Sequence, residues 1–154
     1  VPKTQTMSDL KFFNKNQKLN SIDKKAIIDF LYNHLEQFGD PKKDIENCID
    51  YALEETPSFG GFIIAYYKGS QILGVVIINK TGMKGFIPEN FLVYIATHQE
   101  HRGKGIGKKL MQEAIKHSEG NIALHVEPNN PAKGLYESLG FTNKYLEMRL
   151  IQNS

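Results

Sequence analysis

From Arg102 to Lys109 the chain reads Arg-Gly-Lys-Gly-Ile-Gly-Lys-Lys. The stretch lies between an apolar, β-rich run, Phe91 to Thr97, and a segment in which Ile106, Leu110, Met111, Ala114 and Ile115 recur at helical spacing. Gly103, Gly105 and Gly107 therefore sit where a strand hands over to a helix. There several backbone N–H groups can turn toward one point with no Cβ in the way. The helix dipole adds positive potential at that point, and Arg102, Lys104, Lys108 and Lys109 surround it with full charges. A phosphate or pyrophosphate is the ligand such a pattern suits.

The two common nucleotide loops do not fit. A dinucleotide fingerprint needs Gly-x-Gly-x-x-Gly, and counting on from Gly105 and Gly107 puts Leu110 in the third place. The Gly-x-x-x-x-Gly-Lys-Ser/Thr spacing of a P-loop does not occur. The spacing present, Arg102-x-x-Gly105-x-Gly107 after a strand, resembles the pyrophosphate-binding motif of the GNAT acetyltransferase superfamily. A second segment, Asn129-x-x-Ala132-x-x-Leu135-Tyr136-x-x-x-Gly140-Phe141, follows at about the family's distance downstream. The resemblance is clear over residues 60–141, and earlier rests only on the order of the helices.

That resemblance implies acetyl-CoA as acyl donor, no metal, and transfer of acetyl to an amine acceptor, either a small molecule or a peptide. It implies that the backbone of Ile95, Ala96 and Thr97 pairs with the pantetheine arm in a notch where two strands splay. Arg102, Gly103, Lys104, Gly105, Ile106, Gly107 and Lys108 would cradle the pyrophosphate, while Asn129 would fix the pantetheine near Ala132. Attack needs a neutral amine, and a free alkyl amine has a pKa near ~10, so a base must take a proton. In this family the tyrosine at the position of Tyr136 commonly protonates the leaving thiolate. Glu89, thirteen residues before Arg102, has a spacing similar to the base glutamate of histone-type members. A CoA-binding sensor without turnover is the alternative reading from a different class.

Other polar residues read more plainly. His98 and His101 lack a nearby cysteine or third histidine and read as solvated turn residues rather than metal ligands. His125 alternates with Leu124 and Val126 as a polar-face residue. Cys48 reads as core, which disfavours an acetyl-cysteine route. Asn129 also suits a turn beside a cap at Asn130. Between Asp29 and Glu55 stand eight acidic residues against Lys42 and Lys43. This is either a solvated face or, since the helical pair borders the acceptor site in GNAT-like proteins, a wall favouring a cationic amine.

The elements that must position these groups follow from periodicity. Leu10 to Phe13 suggests a first strand. A helix is expected from about Ile22 to Phe38, capped by Ser21, burying Ala26, Ile27, Phe30, Leu31, His34, Leu35 and Phe38, and ended by Gly39. Asp40-Pro41 reads as N-cap and first residue of a second helix, with Ile45, Cys48, Ile49, Ala52 and Leu53 inward. Phe62 to Tyr67 and Ile72 to Asn79 form a hairpin around Lys68-Gly69-Ser70, the second run buried on both faces. Strands at Phe91 to Thr97 and Ile122 to Val126 flank the glycine-rich turn and its helix. A last helix opens at Asn130-Pro131, turns Ala132, Leu135, Tyr136 and Leu139 inward and stops at Gly140, and Tyr145 to Ile151 reads as a closing strand. The fold class is α/β (α+β mixed): a central mixed, largely antiparallel twisted sheet flanked by helices, which the resemblance sharpens to a GNAT-like acyl-CoA N-acyltransferase fold.

With 154 residues, the reading is one N-acetyltransferase domain over residues 7–154. Val1 to Thr6 are set aside as extraneous, with Met7 a candidate initiator. A net charge of +2 and no aromatic residues interleaved with the basic stretch make a nucleic-acid partner an unfavoured reading. One cysteine excludes an internal disulfide, and no apolar run nears the ~20 residues that span a bilayer, so a cytoplasmic protein with no membrane partner is expected. After Phe141 only Thr142 to Ser154 remain, where many family members carry two strands. The acceptor cleft is therefore expected to be abbreviated on one side, and a homodimer paired through the terminal edge strand would complete it.

Overall fold

The computed structural model describes residues 8–153, so the expectation for residues 1–6 lies outside the described part. The elements are β1 (Ser8–Phe13), α1 (Ser21–His34), α2 (Lys42–Ala52), β2 (Gly61–Lys68), β3 (Gln71–Lys80), β4 (Asn90–Thr97), α3 (Ile106–His117), β5 (Ile122–Leu124) and α4 (Ala132–Ser138). The strands form one sheet in sequence order, antiparallel throughout except for the parallel β4–β5 pair. This is the mixed, largely antiparallel α/β class expected. The chain falls into one unit ending at Leu124 and a second beginning at His125, described in turn.

In the first unit, β2 and β3 are joined by Gly69-Ser70, with Lys68 opposite Gln71 and Gly69 at φ 62°. A two-residue turn of this kind needs a positive φ, which glycine takes without strain. β3 is the central strand. Leu73 and Val75–Ile78 are buried in succession, because helices cover both sheet faces. On one face Ile27, Phe30 and Leu31 of α1 and Ile45, Cys48 and Ile49 of α2 pack with Ile63, Val75, Ile77 and Tyr94. On the other, α3 buries Ile106, Leu110, Met111 and Ala114 against β2, β3 and β4.

β4 carries an extra residue. Ile77 pairs with Tyr94 and Ile78 with Leu92, which leaves Val93 as a bulge. Val93 and Tyr94 consequently both pack on the α1–α2 cluster instead of alternating. The Tyr94 hydroxyl donates to Asp40 Oδ2 at 2.6 Å, fixing the segment between α1 and α2 above the bulge. Burial and Asp40 together push the Tyr94 phenol far above its usual range.

Several expected boundaries move. The cap of α1 is Asn20, whose Oδ1 accepts from Asp23 N at 2.7 Å, rather than Ser21. α1 stops at His34 instead of Phe38, because Glu36 takes φ 55° and a short 3-10 turn, Glu36–Phe38, follows. Asp40 does not cap α2; Pro41 holds that position and Asp40 serves Tyr94 instead. Ile115 is partly exposed on α3, and β5 ends at Leu124 rather than Val126.

In the second unit, α4 is opened by Asn130, whose Oδ1 accepts from Ala132 N at 2.9 Å. Its buried residue is Tyr136, while Leu135 and Leu139 are half-buried. The expected strand Tyr145 to Ile151 is not formed: these residues have no regular structure, and Leu146 and Met148 are 84% and 89% exposed. Alternation supplies an apolar face but not a ladder partner, and no described strand pairs with this segment. The pairing edge on which a homodimer was expected is therefore not present among the described residues.

Gly74 sets how closely α3 approaches the sheet, since a Cβ there would stand 2.7 Å from Leu110 Cδ1 and 2.9 Å from Ile106 Cγ2. Gly74→Val is expected to destabilise the protein by about 1–3 kcal/mol through overpacking, read from urea unfolding. An unchanged midpoint would show that α3 does not rest on this contact.

Candidate functional site

β4 and β5 pair over only three positions, Asn90↔Ile122, Phe91↔Ala123 and Leu92↔Leu124. Past Leu92 the ladder with β5 stops while β3 stays paired to β4 as far as Thr97. One edge of β4 from Val93 to Thr97, including Ile95 and Ala96, thus presents backbone groups without a strand partner among the described residues. The resemblance places the donor's notch along this part of β4, and the bulge at Val93 marks where the pairing with β5 has ended. Nothing in the sequence signalled the bulge, because an inserted residue looks like any other β-branched residue in an apolar run.

Beyond Thr97, a short 3-10 turn, Gln99–His101, leads to the glycines. Gly103 and Gly105 have φ of 80° and 82°, and an added Cβ would meet nothing within 4 Å at either. Glycine is required there by backbone conformation, not by space. Gly105 caps α3 in a left-handed conformation without a side-chain hydrogen bond. Lys109 N is the first amide to reach back, to Gly105 O at 3.0 Å, so the preceding amides of Ile106, Gly107 and Lys108 lie in the unsatisfied first turn. No acidic residue occupies that turn, and exposed Lys104 and Lys108 flank it. An anion is what completes such an end.

Arg102 departs from the expected pattern. Its side chain turns away to the end of α1, donating from Nη2 to His34 O at 2.8 Å and from Nη1 to Glu36 Oε1 at 3.1 Å. Its Nε also reaches Thr97 O at 3.4 Å. The open start of α3 is therefore lined by backbone amides and lysines, with Arg102 bracing the loop.

Glu89 immediately precedes the other end of β4, roughly 26 Å along the chain from Thr97 at the usual rise per residue. Its Oε1 accepts from Asn121 N at 3.1 Å, and that backbone hydrogen bond holds its carboxyl below the usual range. It borders a hollow of about 610 Å³ with Phe59, Lys80, Met83, His117 and Glu119. That hollow mixes both charges and is remote from the cradle. In the second unit, burial raises the Tyr136 phenol to about 12, and its ring meets Phe141 at 6.0 Å. Asn129 is exposed on the turn before α4, and Ala132 begins that helix.

The acidic stretch is largely neutralised by lysines. Asp29 holds Lys25 and Lys42, Asp50 holds Lys24 at 2.6 Å, Glu46 approaches Lys24 and Lys43, and Glu54 and Glu55 meet Lys15 and Lys18. Cys48 is buried, and desolvation pushes its thiol to about 12, which suits core rather than nucleophile. His98 and His101 are joined by a third histidine, His34, whose ring lies 4.2 Å from that of His98. His98 meets the His34 ring at a tilt and the His101 ring edge-on, and no metal-holding group of His, Cys, Asp or Glu occurs among the described residues. No helix of the described chain is long and apolar enough to cross a membrane.

The pattern of the Acetyltransferase (GNAT) family matches residues 25–141. A 5-NmdU N-acetyltransferase of Pseudomonas phage PaMx11 is 31% identical over 102 residues, 65% of this chain and 70% of that protein. Among solved structures, an aminoglycoside N-acetyltransferase, AAC(6')-Iy in complex with CoA, aligns with a TM-score of 0.69 at 15% identity, covering 100% of this chain and 99% of that one. The integron cassette protein VCH_CASS6 of V. cholerae aligns at 0.66 and 22% identity, covering 95% of this chain and 93% of that one. These structural likenesses establish the fold.

Two glycine substitutions separate the cradle from ordinary helix chemistry. Gly105→Ala forces a Cβ onto a φ of 82° and is expected to cost about 1–2 kcal/mol of stability and to weaken pyrophosphate binding. Gly134→Ala, inside α4 with nothing within 4 Å of the new Cβ, is expected to stabilise by up to about 1 kcal/mol and to leave that binding alone. Calorimetric titration with inorganic pyrophosphate checks both; unaltered affinity in Gly105→Ala would remove the cradle from anion binding.

Proposed function

Since the chain belongs to the GNAT acetyltransferase family, we propose that it moves the acetyl group of acetyl-CoA to a primary amine by direct attack in a ternary complex. The observation that carries this reading is the open first turn of α3 beside the unpaired edge of β4. The backbone amides of Gly103, Gly105, Ile106, Gly107 and Lys108, with the Lys104 and Lys108 ammonium groups, bind the pyrophosphate. Ile95, Ala96 and Thr97 offer peptide groups to the pantetheine, and Asn129 and Ala132 contact it from the second family segment. When bound, acetyl-CoA supplies the activated acyl group.

The chain's own residues then hold and move protons. Peptide N–H groups of β4 beyond Leu92 are suited to stabilise negative charge on the carbonyl oxygen as the amine adds. Tyr136 is the proposed general acid. Its raised phenol stays protonated at neutral pH and gives its proton only as charge develops on the departing thiolate. Glu89 is the proposed base by its place in the family pattern. Its carboxyl is ionised at neutral pH, and the Asn121 hydrogen bond that lowers it makes it a weaker base, so taking a proton requires that bond to be given up.

For the acceptor, the 31%-identical phage relative is named a 5-NmdU N-acetyltransferase, and transfer to nitrogen in that relative supports an amine-bearing acceptor here. The acidic side chains of α1 and α2 already hold lysines, so a cationic acceptor would be drawn by its own ammonium group to a modest field rather than to a bare acidic wall.

Thiol release from acetyl-CoA across 5-NmdU, aminoglycosides, polyamines and basic peptides tests this reading. Tyr136→Phe is expected to lower kcat roughly 10²-fold while CoA affinity is kept. Turnover by the variant at the parent rate excludes Tyr136 as acid, and CoA binding without turnover on any amine supports the sensor reading instead. Glu89→Gln is expected to move the pH–rate profile to higher pH, since solvent must then take the proton. A profile that does not move leaves Glu89 with its structural bond to Asn121 alone.

A further inference from the structure

Four hydrogen bonds from the loop between β4 and α3 converge on the C-terminal end of α1. Gln99 N donates to His34 Nδ1 at 3.1 Å and Gln99 Nε2 to Asn33 O at 3.1 Å. Arg102 reaches His34 O at 2.8 Å and Glu36 Oε1 at 3.1 Å. The last carbonyls of a helix lack partners within it, and here the loop that carries the glycine cradle supplies them.

His34 is the hub of this contact, since its carbonyl and its ring both accept from the loop. A peptide N–H can only donate, so Nδ1 of His34 is unprotonated and the ring proton sits on Nε2. His98 is held the same way, with Nδ1 accepting from Glu100 N at 3.1 Å. The His34 ring lies between Phe30, at 4.5 Å, and His98, at 4.2 Å. Protonation of Nδ1 would set one N–H against another. It would also place an imidazolium beside His98 and Arg102, with Glu36 and Glu100 as the opposing charges; His101 and Lys104 stand further along the same loop.

We propose that His34 is a positioning residue for the acyl donor: its neutral ring holds the β4–α3 loop to α1, keeps the glycine cradle in its binding geometry, and releases it on acidification. The proposal rests on the cradle being the CoA pyrophosphate site. Burial first, and His98 next, hold His34 below its ordinary value near 6.5. A group depressed in this way contributes its tie fully above that ordinary value and loses it as the pH falls through the lower folded-state value.

The test is CoA binding by calorimetry to the parent protein, His34→Ala and His34→Asn, from about pH 5 to 8. Asparagine places an amide oxygen near the position of Nδ1 but does not protonate in this range. At pH 8, His34→Ala is expected to weaken CoA about five- to tenfold, the scale of one lost hydrogen bond, and His34→Asn to stay within about twofold. Below pH 6.5 the parent protein should lose affinity relative to His34→Asn. The phosphate of CoA titrates there too, but identically for both proteins, so the ratio isolates His34. In steady-state assays the change should fall on the KM for acetyl-CoA and not on kcat. A ratio constant with pH, together with undiminished binding by His34→Ala, overturns the positioning role and leaves the cradle standing. Failure of all three proteins to bind CoA overturns both.

Discussion

Two neighbouring parallel strands cannot be joined by a tight turn; the chain must leave one end, travel back and enter again at the other. Among the described strands β4 and β5 are the only parallel pair, and α3 is the crossover between them. That constraint fixes where the open backbone groups lie. α3 must begin beyond the C-terminal end of β4, so its unsatisfied N–H groups open there. Because the pair separates after Leu92, the same end also exposes one edge of β4. An unsatisfied helix N-terminus and a strand edge with no strand partner among the described residues are thus two results of one connection.

Holding that connection in register falls to the packing around β3 and β4. Gly74 lets Ile106 and Leu110, the first inward residues of α3, rest on the sheet, which ties the start of the helix to the strand beside the notch. On the opposite face the bulge at Val93 turns Tyr94 toward Asp40. The α1–α2 junction is thereby pinned above the place where β4 and β5 part. Each burial of an Ile or Leu here is worth about 1.5–3 kcal/mol, well above the ion pairs on the surface of α1 and α2, so shape rather than charge sets the frame.

Most of this was legible in the sequence where a single period and a clear punctuation mark coincide. The hairpin around Gly69, the doubly buried run Leu73 to Ile78 and the glycine-opened helix at Ile106 all have both. Legibility failed where a residue's partner is distant in sequence. Asp40 looked like a helix cap because the sequence shows Pro41 beside it and not Tyr94 fifty-four positions away. His34 looked like one more face residue of a longer helix, since nothing local announces the left-handed turn at Glu36. Tyr145 to Ile151 alternates as a strand should, yet alternation is necessary and not sufficient when no ladder receives it.

Arg102 shows the same limit in the cradle itself. As sequence it is one of four charges around the glycines, and an arginine near a phosphate loop reads as a phosphate ligand. In the structure two helix ends of opposite polarity compete for what the loop carries. The C-terminus of α1, equivalent to about half a negative charge, takes the guanidinium together with Glu36, and the N-terminus of α3 is left with amides and lysines. The Arg102–Glu36 pair is nearly half exposed on both sides, so the ion pair itself contributes little, on the order of 0–1 kcal/mol. What the arrangement secures is direction. With Arg102 and Gln99 both spent on α1, the loop is anchored at its entry and the amides past Gly103 are the donors still available. The motif's charges therefore divide: its arginine braces the loop against a helix end, and backbone amides with lysines remain at the open start of α3.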